Sequence, residues 1–422
     1  MTVICTHSAV SGKISAISSK SDAHRLLICA ALSESETNIH CNVMSKDIAA
    51  TLDCLKSMGT DISVSGDIIT VTPKPFNKKT DLDCGESGST LRFLMPVVSA
   101  LGIDATISGH GRLPERPISP LKEEMEKKGV VFHTNSNFPL QLTGELQAGK
   151  YEIAGNISSQ FITGLLFALP ILNGDSEIKL IPPVESRSYL NITLSALRKF
   201  GIKISEQENL YIIKGNQKYV SPKETTVQGD WSNASFFLCA GALSEKGVTV
   251  TDLDINSPQG DKEILNVLSS MGADVQIRGT EITVKKKNLK GIAVDASDIP
   301  DLVPIISVVA TACQGDTKII NAQRLRIKES DRIKSVVNML NAVGGNAEET
   351  DDGMIIHGIG ELQGGIVNGY NDHRIVMSAS ILSALCKGNV EITDFKAVEK
   401  SYPNFFEDFN KMGGNANVLN DR

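Results

Sequence analysis

The sequence predicts an α/β protein of two similar lobes, each made of three copies of one strand–helix–strand–helix–strand–strand repeat. Three observations carry that expectation. First, six amphipathic segments end in a glycine: Gly59, Gly129, Gly201, Gly272, Gly344 and Gly413, so that consecutive ones lie 70, 72, 71, 72 and 69 residues apart. A period this regular marks a repeated structural unit. Second, each interval contains a short, almost wholly apolar run with a polar opening, such as "LRFLMPVVSAL" or "ASFFLCAGAL". Third, alternating segments such as "TNIHCNV", "VTVTDLD" and "NVEITDF" follow those runs, which is the period of a strand.

Taken in order, each repeat begins with a polar cluster that opens the apolar helix. A glycine or polar turn leads to the alternating strand, and an amphipathic helix then ends at the periodic glycine, the residue expected just past a helix C-terminus. A strand pair such as "GADVQIRGTEITVKK" closes the repeat. Parallel strands joined through helices imply right-handed crossovers. The sixth interval runs out in "GGNANVLNDR" before its last strand, while "VICTHSAVSGKISAI" at the other end is strand-like and precedes the first repeat. We expect the N-terminal segment to complete the sixth repeat. One lobe then comprises residues 1–19 with 230–422 and holds both termini, and the other comprises 20–229, with crossings near Ser19–Lys20 and Gly229–Asp230.

Bulk properties narrow the function. The chain has 422 residues, 41% hydrophobic and 22% charged, with a net charge of −7, a soluble globular profile too long for a single core. The acidic balance argues against a nucleic-acid partner. No apolar run reaches the roughly 20 residues of a membrane helix, and "MTVICTHSAV" lacks the pattern of a secretory signal. The eight cysteines are scattered, without CxxC or metal-ligand spacing. Cys29, Cys239, Cys313 and Cys386 fall in apolar helical runs, a usage suited to a reducing cytoplasm.

The chemistry gathers at the openings of the apolar helices: "SKSDAHR" (19–25), "GESGSTLR" (85–92), "GNISSQF" (155–161), "GDWSNAS" (229–235), "DIPDLVP" (298–304) and "YNDHR" (370–374). Ser, Gly and Asp there serve as N-caps. Lys20, Arg25, Arg92 and Arg374 need another account, because the helix dipole is already positive at this end and favours anions. Cations at such a site make sense around a bound anion. If the repeats share one architecture, the six helix starts meet in a cleft between the lobes. Loops add charge: Arg112 and Arg116 in "GRLPERPI", Lys400 in "AVEKSYP", and Arg324, Arg326, Lys328, Glu329, Asp331 and Arg332 in "RLRIKESDR". Glu329 and Arg332 are three apart at an expected helix start and so share a face. Arg suits bidentate recognition of phosphate or carboxylate.

The ordered set "SKS" with "HR" at 20–25, "GESGSTLRF", "ERPI", "SSQF", "IPD", "KESDR", "YNDHR" and "EKSYPNFF" resembles the 5-enolpyruvylshikimate-3-phosphate synthase family, over residues 19 to 406. The resemblance implies the enolpyruvyl transferase fold, an inside-out α/β barrel in two lobes. It implies transfer of the enolpyruvyl group of phosphoenolpyruvate to the 5-hydroxyl of shikimate 3-phosphate, through a tetrahedral intermediate that expels phosphate. That step belongs to the shikimate pathway of chorismate and aromatic amino-acid biosynthesis. No metal or organic cofactor is implied, and no partner beyond the two substrates; a cytoplasmic monomer is expected.

By position, the resemblance implies that Lys20, Arg116, Arg332, Arg374 and Lys400 clamp phosphoenolpyruvate, with Gly88 and Gln160 beside it. It implies that Ser21, Arg25, Ser158, Ser159, Gln160, Ser186, Tyr189, Asp301 and Lys328 surround shikimate 3-phosphate. Asp301 is the partner of the attacking hydroxyl and a candidate for its base. Glu329 is the expected proton donor and acceptor at the methylene carbon, with Lys20 sharing that proton traffic. His24 and His373 are expected to be structural, and Trp231 to serve packing. Arg324 stands where the family often has Asn, and Ser89 where Thr is frequent. Gly88, without a side chain, is compatible with inhibition by glyphosate at the phosphoenolpyruvate site. The nearest rival is the enolpyruvyl transferase acting on UDP-N-acetylglucosamine, which usually carries a reactive Cys in the loop matching "GHGRLPERPI"; this loop has none.

Overall fold

The computed structural model describes residues 2–133 and 138–419. The chain divides into two compact units, Met1–Ser19 with Gln228–Arg422, and Lys20–Val227. Among the described residues the named strands form six four-stranded sheets, and one pattern recurs in all of them. In the second repeat, Lys79–Asp83 runs parallel to Asp104–Ser108, which is antiparallel to Leu140–Gly144, which is antiparallel in turn to Val130–Phe132. The parallel pair is joined by the helix Gly88–Ala100.

That first helix of each repeat is buried nearly all round. In Gly88–Ala100 every residue but Ser89 is buried, and the other first helices, such as Ser159–Ala168 and Val303–Thr311, are similar. An all-round apolar helix must lie inside the protein, and its charged side chains, where it has any, stand within its first two turns. The second helices, such as Lys46–Ser57, are amphipathic, with Ser45 capping through the Ile48 N–H at 3.3 Å. The six periodic glycines all have positive φ, from 78° to 114°, the left-handed conformation that ends a helix.

The N-terminal segment divides between two sheets, which the sequence reading did not anticipate. Thr2–Cys5 lies between Val390–Thr393 and Ala416–Leu419, antiparallel to both, and so completes the sixth repeat. Gly12–Ser15 instead pairs in parallel with Val248–Thr251 and opens the fourth repeat. The first repeat is opened by Glu224–Thr226, parallel to Thr37–His40. Each opening strand adjacent to a crossing thus stays in its own unit while the helix that follows in sequence belongs to the other. Residues 420–422 of the final run lie outside the described residues.

Candidate active site

In the unit Lys20–Val227 the helix starts carry two tied groups. The helix Lys20–Ala31 begins with Lys20, whose Nζ donates to Asp47 Oδ2 at 2.8 Å. Arg25 is 2% exposed. It donates from Nε to Thr193 Oγ1 at 2.8 Å, from Nη1 to the Ser21 carbonyl at 2.6 Å and from Nη2 to the Tyr189 carbonyl at 3.1 Å. Burial pulls its guanidinium down to about 10, with Asp22 and Tyr189 holding it up. Arg25 therefore ties this helix to Arg187–Lys199. Ser186, buried, precedes that helix with φ 55°.

The second group surrounds Gly88. Arg92 donates from Nη1 to Gln160 Oε1 at 2.8 Å and from Nη2 to the Pro117 carbonyl at 2.9 Å, with its guanidinium 5.5 Å from the Phe161 ring centroid. Gln160 Nε2 in turn donates to Ser89 Oγ at 3.0 Å. A Cβ on Gly88 would lie 2.6 Å from Arg92 Nη1 and 2.9 Å from Arg116 Nη1. Gly88, Ser89, Arg92, Arg116 and Gln160 thus meet where the helices Gly88–Ala100 and Ser159–Ala168 begin. Ser158 caps the latter, accepting from the Gln160 N–H at 3.3 Å, and Ser159 is its first residue. His24 Nδ1 bonds Thr51 Oγ1 at 2.7 Å, and a hydroxyl chain runs on through Thr90 to Ser87. Burial, with Lys20 and Arg25 adding to it, holds His24 well below its usual range and therefore neutral.

In the other unit, four acidic and basic groups converge on Asp301, which lies in the one-turn segment Pro300–Leu302 ahead of Val303–Thr311. Asp301 Oδ1 accepts from Arg332 Nη1 at 2.8 Å and Oδ2 from Arg374 Nη2 at 3.0 Å. Arg332, 1% exposed, also donates to Glu329 Oε2 at 2.8 Å and to Asp372 Oδ2 at 2.8 Å. Glu329 and Arg332 do meet, but not on one helix face: the helix Arg332–Ala342 starts at the arginine, with Asp331 as N-cap. Arg374 Nη2 also reaches Ser232 Oγ at 2.7 Å. Lys400, 7% exposed, donates to the Asn371 carbonyl at 2.6 Å. Arg324 donates to the Ser297 carbonyl at 2.8 Å.

The electrostatics follow from this crowding. Burial pushes the Asp301 carboxyl up, but Arg374, Lys328 and Arg332 outweigh it and hold Asp301 well below the usual carboxylate range. Burial brings Lys328 down to about 8 against the pull of Asp301. Asp372, fully buried, is held below its ordinary value: burial acts upward, and Arg332 and His373 overcome it. Sequence reasoning missed Asp372 and Ser232 as members of this network. Both sit in quoted helix openings, where an N-cap role accounted for either residue. That reasoning set Arg92 only among the cations around a bound anion and did not foresee that Arg92 donates to Gln160. Trp231 is fully buried, with Nε1 donating to the Asp254 carbonyl at 3.0 Å.

Six βαβαββ repeats in two units, with cations gathered at the starts of buried helices, define an enolpyruvyl transferase. Among solved structures, an EPSP synthase from Acinetobacter baumannii superposes with a TM-score of 0.82 at 26% identity, covering 99% of this chain and 100% of that one. The enolpyruvyl transferase NikO from Streptomyces tendae gives 0.80 at 17% identity, covering 99% and 98%, a likeness of fold alone. The model of the family EPSP synthase (3-phosphoshikimate 1-carboxyvinyltransferase) matches residues 4–409. A 3-phosphoshikimate 1-carboxyvinyltransferase from Clostridium novyi (strain NT) is 43% identical over 424 residues, covering 96% of each chain. The chain belongs to the EPSP synthase family, whose reaction is enolpyruvyl transfer from phosphoenolpyruvate to shikimate 3-phosphate.

Proposed function

We propose that the two residue groups act on one pair of substrates, shikimate 3-phosphate and phosphoenolpyruvate. Lys20, Gly88, Arg116, Gln160, Arg332, Arg374 and Lys400 receive phosphoenolpyruvate. Ser21, Arg25, Ser158, Ser159, Gln160, Ser186, Tyr189, Asp301 and Lys328 receive shikimate 3-phosphate. The observation that supports this most directly is Asp301 held between two arginines, Arg332 and Arg374. A carboxylate so paired is a weak base. When the carboxylate and phosphate of phosphoenolpyruvate take up those guanidiniums, the cationic hold on Asp301 weakens and its proton affinity rises. The same binding event that delivers one substrate thus prepares Asp301 to accept the proton of the other's 5-hydroxyl.

A proton from Glu329, with Lys20 sharing the transfer, reaches the methylene carbon of phosphoenolpyruvate. The 5-oxygen attacks the adjacent carbon and Asp301 takes its proton. The tetrahedral adduct then returns a methyl proton to Glu329 as the carbon–oxygen bond to phosphate breaks, restoring the vinyl ether, and the proton taken by Asp301 leaves with the phosphate as hydrogen phosphate, so that both carboxylates are reset. Arg116, Arg332, Arg374 and Lys400 neutralise the anionic groups throughout, the form of stabilisation that contributes most in a water-poor site.

The loop 109–118 has no cysteine, which disfavours UDP-N-acetylglucosamine as acceptor. The test is phosphate release from phosphoenolpyruvate with either acceptor in parallel. Release with shikimate 3-phosphate alone is expected; release with the nucleotide sugar alone would overturn the acceptor assignment. Both residue groups lie in one chain, so we read the active species as a monomer, to be checked by light scattering. Among the described residues no helix is long and apolar enough to cross a membrane, and all eight cysteines are free thiols, which supports a cytoplasmic setting.

A further inference from the structure

In the unit Lys20–Val227 an imidazole and three hydroxyls are buried in one series. His24, Thr51, Thr90 and Ser87 are all buried. His24 Nδ1 lies 2.7 Å from Thr51 Oγ1, which lies 2.7 Å from Thr90 Oγ1, which lies 2.7 Å from Ser87 Oγ. Buried polar groups are costly unless bonded, and apolar side chains of the same shape would need no such matching, so the series needs a physical reason. It has one direction. A hydroxyl carries a single proton. Thr90 gives its proton to Ser87 Oγ, which also accepts the Thr90 N–H at 3.2 Å. Thr51 therefore donates to Thr90, and can only accept from His24. His24 is thus protonated at Nδ1, with Nε2 a bare lone pair. Its surroundings agree: Nε2 makes no hydrogen bond among the described residues, and the ring meets Phe93 edge-on, with centroids 6.4 Å apart. An imidazolium would place an N–H there without an acceptor, in keeping with the burial that holds His24 neutral.

The His24–Thr51 bond is the second of two rungs between the same helices. Lys20 and His24 are four apart on Lys20–Ala31, and Asp47 and Thr51 are four apart on Lys46–Ser57, so each pair shares a face. Lys20 Nζ donates to Asp47 Oδ2 at 2.8 Å, and one turn further on His24 donates to Thr51. The outer rung is partly exposed and can give way to a substrate anion. The inner rung is sealed and cannot. From Thr51 the series passes to Thr90, in the first turn of Gly88–Ala100, and ends on Ser87, the N-cap of that helix. We propose that His24 is a positioning residue for phosphoenolpyruvate: its Nδ1–H, passed on through Thr51 and Thr90 to Ser87, fixes the start of Lys20–Ala31 against the start of Gly88–Ala100 and so presets the separation of Lys20 and Gly88. This rests on the reading that Lys20 and Gly88 receive phosphoenolpyruvate. Directed hydrogen bonds have a preferred length and angle, whereas apolar packing alone would let the helices slide. A preset separation removes an ordering cost from binding. Arg25, the next residue to His24, is held separately by Thr193 Oγ1 and the Tyr189 carbonyl, so its place does not depend on this series.

The experiment measures KM for each substrate, kcat and the melting midpoint in Thr51→Val, Thr90→Val and Thr51→Ser. Valine keeps the shape of threonine and removes its hydroxyl. Both valine variants are expected to raise KM for phosphoenolpyruvate by roughly three- to tenfold, the order set by one lost hydrogen bond. Their kcat and their KM for shikimate 3-phosphate should stay within about twofold of wild type. Thr51→Ser retains the hydroxyl and is expected to keep the wild-type KM. A role in stability alone would lower the midpoint and leave KM in place. That result, or a Thr51→Ser as impaired as Thr51→Val, overturns this inference while the functional reading stands. The direction of the series is read on the folded wild type, from the ring-nitrogen resonances of protein made with isotope-labelled histidine, the His24 signal being assigned by its loss in His24→Asn. A neutral ring protonated at Nδ1 is expected; protonation at Nε2 would reverse the first bond and overturn the inference, whatever the variants do. If wild type itself yields no phosphate with both substrates, the functional reading falls and takes this inference with it.

Discussion

Gly88 shows how narrowly the site is drawn around single residues. A methyl group there would come 2.6 Å from Arg92 Nη1 and 2.9 Å from Arg116 Nη1, closer than atoms pack. Both neighbours are ends of flexible side chains, so the fold survives but the guanidiniums move. Gly88→Ala is therefore expected to raise KM for phosphoenolpyruvate by roughly tenfold, about 1.4 kcal/mol, with a smaller change in kcat and in thermal stability. Steady-state kinetics with a melting curve checks this; an unchanged KM would show that Arg116 does not receive that substrate. Asp301 makes the complementary case. Asp301→Asn keeps the size and one acceptor but cannot take a proton, and kcat is expected to fall by about 10²–10⁴-fold, far more than KM changes. Full turnover in this variant would remove Asp301 from the chemistry. The charged residues at helix starts were legible in sequence because they interrupt apolar runs. Asp372 and Ser232 were not, because an acid or a serine in a polar stretch looks like an N-cap or a surface group until the tertiary fold brings an arginine to it.

Between elements, the site depends on how closely two buried helices approach. A Cβ on Gly164 would meet the Arg92 carbonyl oxygen at 2.3 Å and Pro96 Cγ at 3.0 Å. Here the obstacle is backbone, which cannot step aside without moving the helix. Gly164→Ala is expected to destabilise the protein by about 2–3 kcal/mol. It should also disturb the Arg92–Gln160 bond, because those two residues stand on the two helices that would be pushed apart. Denaturant unfolding and KM for phosphoenolpyruvate measured on one preparation test this; loss of stability with KM intact would separate the packing from the site. The repeat itself was legible because helix-ending glycines need positive φ and recur at nearly constant spacing. The exchange of opening strands was not. Gly12–Ser15 and Glu224–Thr226 are three or four residues long and mostly exposed, too short for a period to declare which sheet they join. Glu329 and Arg332 were read onto one helix face, yet the Asp331 cap starts the helix between them. Their contact survives because the turn before a cap also brings residues three apart together.

For the molecule as a whole, the path of the chain makes the two units unequal in how they can fold. Lys20–Val227 is continuous and contains every strand of its three sheets, Glu224–Thr226 included. The other unit is made of two distant segments. Thr2–Cys5 sits inside its sheet, between Val390–Thr393 and Ala416–Leu419, and Val3 and Cys5 are fully buried. Gly12–Ser15 supplies the edge beside Val248–Thr251. A fragment of residues 20–227 is therefore expected to unfold cooperatively on its own. A fragment of 228–422 lacks an inner strand, leaves two neighbours with unpaired backbone groups, and exposes an apolar face; it should be poorly soluble and lack a cooperative transition. Adding a peptide of residues 1–19 restores both sheets and should restore the transition, with a midpoint that depends on peptide concentration, as expected when a ligand binds only the folded state. Circular dichroism melts of the two fragments, with and without the peptide, decide the matter. A cooperative melt of 228–422 that the peptide does not shift would mean that the first strand is dispensable, and that the closure of the sixth repeat by the N-terminus contributes little to holding that unit together.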